Sequence, residues 1–128
     1  MNIVHWSKFN YERRIVENGV PAVATSNLLG KDKKKIEGVW CVPFHADVVQ
    51  MWKGWATVNG KAVVVHADVP VENIVVIVNG EVVGEASSFT DAELVDICKD
   101  SKNGLFIPAG IPRDQIEGVS LVFTVEWE

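Results

Sequence analysis

The chain has 128 residues, 48% of them hydrophobic, and a net charge of −5. That length suits one domain and excludes two ordinary ones, and an acidic field repels phosphate backbones, which excludes general nucleic-acid binding. No apolar run reaches the ~18 residues of a membrane span, and Met1-Asn2-Ile3-Val4-His5-Trp6 carries no basic or long apolar leader, so a cytoplasmic protein without membrane contact is expected.

A domain of this size buries roughly two-thirds of the surface its unfolded chain exposes. It needs neither a disulfide nor a structural metal. Cys41 and Cys98 read as buried free thiols. His5, His45 and His66 lack metal-ligand spacing, so no metal is expected.

Asn2–Trp6 reads as a first strand, with Ser7 as N-cap of a helix whose shared face holds Phe9, Ile15 and Val16. Gly19 stands at the C-cap position, and Pro21 prevents continuation. Residues 21–35 read as a long loop ending in Lys31-Asp32-Lys33-Lys34-Lys35. That run is either a solvated loop or a local anion contact. Gly38–Pro43 is a buried strand. Ala46–Trp55 is a helix carrying Val48, Val49, Met51, Trp52 and Trp55, apolar round much of its circumference and therefore packed on a sheet.

Lys61–Val69 is a strong strand, because Ala62-Val63-Val64-Val65 suits burial on both faces. Ile74–Val78 and Glu81–Val83 flank Asn79-Gly80, the dipeptide that accepts both positive-φ positions of a type I′ hairpin turn. Thr90 caps a helix running to about Lys99, with Asp91 and Glu93 in its first turn and Leu94, Val95, Ile97 and Cys98 on its apolar face. Leu105–Ile107 is a short strand and Pro112–Ile116 a turn or a single helical turn. Gly118–Trp127 is the last strand, with Val119, Leu121, Phe123 and Val125 alternating against Ser120, Thr124 and Glu126. Strands and helices do not alternate regularly, so the expected fold is a single α+β domain over residues 1–128. Its sheet is mixed or antiparallel, with two to three peripheral helices, rather than doubly wound.

The chain contains no phosphate-binding G-x-x-x-x-G-K-[ST], no G-x-G-x-x-G and no nucleophile elbow G-x-S-x-G. Cys41 and His45 stand on opposite sides of Pro43 and do not read as a nucleophile pair. Capping and hairpin solvation account for the acidic stretch Glu81, Glu85, Asp91 and Glu93.

One ordered series of segments is more informative. It comprises His5-Trp6-Ser7, Arg14-Ile15-Val16-Glu17-Asn18-Gly19-Val20, Gly38-Val39-Trp40 with Pro43, Asp68-Val69-Pro70, and Leu105-Phe106-Ile107-Pro108 followed by Ile111 to Val119. Together these resemble the small, histidine-class ADP-ribosyltransferase fold. That superfamily includes poly-ADP-ribose polymerase catalytic domains, RNA 2′-phosphotransferases and DNA-modifying toxins. The resemblance implies a split sheet with NAD, or a related nucleotide, in the cleft. His5 would bond the nicotinamide ribose, Ser7 the nicotinamide amide, and Trp40 would stack on the ring. Lys33–Lys35 would face the pyrophosphate. The family's catalytic glutamate falls at about Gly104, beside Asn103, and neither residue supplies its charge. The resemblance thus implies nucleotide binding with transferase activity in question.

A second reading comes from residues alone. Trp52, Trp55 and Met51, if partly exposed, form a surface for a protein partner or a second copy of the chain, since tryptophan and methionine are enriched in interface cores.

Overall fold

The computed structural model describes residues 1–24, 37–100 and 102–121. In chain order its strands and helices are β1 (Asn2–Lys8), α1 (Glu12–Asn18), β2 (Val23–Ala24), β3 (Glu37–Pro43), α2 (Ala46–Val58), β4 (Lys61–Asp68), β5 (Val75–Val78), β6 (Glu81–Glu85), α3 (Asp91–Cys98), β7 (Gly104–Ile107) and β8 (Ile116–Leu121). The strands form one sheet in the order β6-β5-β7-β3-β1-β4-β8, with β2 added on β3. Each of these pairings is antiparallel. The α+β class, with three α-helices among the described residues, is therefore observed.

The valine run places β4 centrally between β1 and β8. Val63, Val65 and Ala67 are fully buried on one face of it, while Ala62, Val64 and His66 on the other face are only partly buried. On β1, Ile3, His5 and Ser7 alternate against Val4 and Trp6, and all but the partly buried His5 are buried. β1 pairs with β4 along its whole length, from Asn2 opposite Asp68 to Lys8 opposite Lys61. With β3 it pairs only at Ile3–Pro43 and Val4–Val42. Beyond Val4 the two strands form no further pairs, and at its start β3 pairs with β2 through Gly38 and Glu37. The sheet is thus open between β1 and β3 beside residues 39–41.

Helices α2 and α3 are tied together by the Trp52 indole N–H, which donates to the Cys98 carbonyl at 2.9 Å. Val48 and Ala56 of α2, with Leu94 and Cys98 of α3, join the core formed with the sheet. Thr90 caps α3 in a full capping box with Glu93, and Asn79 (φ 52°) and Gly80 (φ 81°) form the hairpin turn. Both features follow the sequence expectation. Among the described residues no helix is long and apolar enough to cross a membrane.

Three expectations are corrected. Ser7 does not cap a helix. It stays in β1 opposite Val63, and α1 begins only at Glu12, after a 3-10 turn at Phe9–Tyr11 and without a side-chain cap. The buried face of α1 reduces to Ile15, since Phe9 is 57% and Val16 44% exposed. Helix α2 runs on to Val58, because no proline or glycine occurs between Trp55 and Gly60. Lys31–Lys35 and the end of the last strand, from Val122 on, lie outside the described residues.

Candidate functional site

His5 sits at the opening between β1 and β3. Its Nδ1 lies 2.6 Å from the Trp40 carbonyl oxygen. A carbonyl only accepts, so Nδ1 carries the hydrogen and donates. Desolvation by burial pulls the imidazole pKa down to about 4, against the raising effect of that hydrogen bond, and the nearby charge of Lys61 lowers it further. The ring is therefore neutral near pH 7, and Nε2 is left as an unprotonated acceptor. The imidazole closes part of the gap in the sheet by substituting a side-chain bond for the ladder bond the diverging strands cannot make.

Ser7 follows His5 on the same face of β1 and is 9% exposed. Trp40 belongs to the other face. Val4 opposes Val42, so strand alternation puts the Trp40 side chain with Val4 and Trp6, away from His5 and Ser7. Its indole meets Phe106 edge-on, with centroids 5.4 Å apart, and also lies over Gly104. The structure thus brings the Trp40 backbone, not its ring, to His5. The three residues expected to share a site divide into His5 and Ser7 on one face and the Trp40 indole on the other.

The remaining histidines have separate surroundings. His45 Nδ1 accepts from the Asp47 N–H at 3.3 Å and caps α2. His66 stacks on Phe44, with centroids 4.4 Å apart, and its buried Nε2 has no hydrogen-bond partner among the described residues. Cys41 and Cys98 are buried free thiols. Burial raises the Cys41 pKa well above the ordinary thiol value, helped by the neighbouring Cys98, and raises that of Cys98 to about 12. Neither supplies a thiolate at neutral pH. Among the described residues no group of three His, Cys, Asp or Glu side chains is arranged to hold a metal ion.

Two features escape sequence reading. An open groove of about 310 Å³ runs between α1 and β8, past Ile15, Val16, Arg113 and Glu117. Lys8 and Lys61 stand directly opposite each other at the far end of the β1–β4 ladder, where the register shifts. Both depend on long-range register, for which the sequence carries no local signal.

No protein-family model, curated protein or solved structure matches the chain.

Proposed function

We propose that this domain is ADP-ribosyltransferase-like and binds NAD or a related nucleotide at the opening between β1 and β3, without carrying out transfer. The observation that carries this reading is the neutral His5, fixed through Nδ1 on the Trp40 carbonyl. Its Nε2 suits a ribose hydroxyl as donor, and a rigid, pre-oriented acceptor costs little ordering on binding. Ser7, two residues on and on the same face, adds a hydroxyl. The reading without transfer rests on Gly104. A carboxylate is what stabilises an oxocarbenium-like centre as nicotinamide leaves, and glycine supplies none.

Titration calorimetry with NAD and with ADP-ribose tests the proposal. Saturable binding at or below the millimolar range is expected, lost in His5→Ala while the far-ultraviolet spectrum is kept. An absence of heat with both ligands, from folded protein, removes the nucleotide reading.

A second reading is favoured by α2. Trp55 is 45% and Val58 86% exposed on a helix whose Val48 and Ala56 are buried, and Trp55 meets Trp52 edge-on at 5.3 Å. An exposed indole supported by a second ring is a suitable interface anchor. On this reading the domain is a non-enzymatic module that binds a protein or a second copy of itself. Sedimentation velocity separates self-association from a monomer.

A further inference from the structure

Strand β8 ends the sheet. Among the described residues it pairs only with β4, so the backbone N–H and C=O groups along its other edge meet no strand. Such an edge is a template for a further strand. It is also less covered than its neighbour. Val65 is fully buried, while Val119 opposite it is only partly so, and Ser120 and Leu121 are exposed.

The same strand forms one wall of the groove of about 310 Å³ against α1. Ile15 and Val16 of α1 and Ile116 and Val119 of β8 make its lining apolar, and Arg113 and Glu117 add two charges. The ion pairs among the described residues, Met1–Asp68, Arg13–Glu17 and Lys99–Asp96, include neither. Register brings Glu117 to the groove. His66 opposes Gly118 and Ala67 opposes Ile116, so Glu117 is the extra residue of a bulge. Bulges re-aim side chains and are over-represented beside functional sites. Val20 and Ile111 exchange hydrogen bonds at 2.8 Å, which hold the end of α1 to the segment leading into β8. The groove is thus formed in advance, and an occupant orders little of the protein on binding.

We infer that β8 and this groove dock an extended segment of another protein, added antiparallel to β8. The segment carries an apolar side chain for the groove, a basic one for Glu117 and, nearer its C-terminus, an acidic one for Arg113. Antiparallel addition continues the rule of every pairing among the described strands. It also sets the order of the charges, because Arg113 precedes Glu117. Main-chain bonds along the edge supply affinity, and the groove and its two charges supply specificity. Two copies of this chain, each with a net charge of −5, repel one another, which favours a different partner. Strands β1 and β4 separate this surface from the opening beside His5, and its occupancy is independent of the nucleotide reading.

The test titrates the full chain into the peptide fluorescein-Thr-Leu-Thr-Lys-Thr-Asp-amide, followed by fluorescence polarisation. Its Leu, Lys and Asp alternate and so share one face of a strand. A second peptide has Lys and Asp exchanged. Circular dichroism verifies that each variant is folded. Wild type is expected to prefer the first peptide, by about two- to fivefold for each exposed charge pair. The double variant Arg113→Glu with Glu117→Arg should reverse that preference. Val16→Asp, which puts a carboxylate in the apolar lining, should abolish binding of both peptides. Equal affinity for the two peptides, or a preference that survives the charge reversal, overturns the inference. So does a failure of folded wild type to bind either one. Sedimentation velocity showing a dimer that is lost in Val16→Asp also overturns it, and gives the edge to a second copy of the chain.

Discussion

The indole of Trp40 lies over the α-carbon of Gly104, so that a β-carbon built there would come 3.3 Å from Trp40 Cε3 and 3.4 Å from Cζ3. The pair explains why this strand opens with glycine. Trp40 and Phe106 stand opposite each other on β3 and β7, and the indole fills the space above the neighbouring residue. A glutamate at position 104 therefore meets an occupied site, not an empty one. Gly104→Glu is expected to destabilise the fold by about 1–3 kcal/mol, the usual cost of overpacking, and to produce no NAD cleavage. Gly104→Glu combined with Trp40→Ala should recover part of the loss. Urea midpoints of the single and double variants measure the coupling.

His5 sets a pH dependence. Its folded pKa, about 4, lies below the unfolded value of 6.5. Between these values the unfolded chain binds more protons, so stability rises with pH across this window. The contribution is fully present above pH 6.5 and is lost progressively as pH falls towards 4. It amounts to at most about 3 kcal/mol at the usual cost per pKa unit. Thermal melts from pH 7.5 to 4 should show a fall in midpoint that is shallower in His5→Gln. Parallel slopes in the two proteins would place the pH dependence elsewhere.

Local chemistry made much of the fold legible. Asn79-Gly80, the Thr90–Glu93 capping box and the valine run of β4 each carry their structural cause within a few residues. Ser7 did not. Its hydroxyl can cap a helix or sit in a strand, and the choice was made by pairing with Val63, more than fifty positions away. Trp40 shows the same limit. The face its ring takes follows from the Val4–Val42 register, and the opening that receives His5 exists because β1 and β3 diverge beyond that pair. Neither event leaves a trace in either segment. The hydrogen bond of His5 to the Trp40 carbonyl was equally illegible, since it joins residues 35 positions apart.

The thiols should be silent in the native protein. With Cys98 raised to about 12 and Cys41 raised by burial and by its neighbour, the thiolate fraction at pH 8 is very small. A colourless native sample with a chromogenic disulfide reagent, and two thiols released in denaturant, are expected. Fast reaction of either cysteine in the folded state would show that α3 opens from β3.

Gly19 locks α1 to the segment before β8. It has φ +82°, and a β-carbon there would lie 2.4 Å from the Ile111 carbonyl oxygen and 2.7 Å from the Arg113 nitrogen. The obstruction is backbone, so a side-chain rotation cannot relieve it. Next to it, Val20 and Ile111 exchange hydrogen bonds at 2.8 Å each way. Gly19→Ala combines the cost of a left-handed backbone with this clash, and breaking the Val20–Ile111 bridge frees α1 from the sheet. The expected loss is at least about 3 kcal/mol, at the severe end for a single substitution. Gly54→Ala is the control. It lies within α2, and a β-carbon added there would meet nothing within 4 Å, so the substitution should stabilise the helix by up to about 1 kcal/mol. Denaturation midpoints of the two variants should therefore move in opposite directions. Equal shifts would mean that the close approach of Gly19 to Ile111 is not maintained in solution.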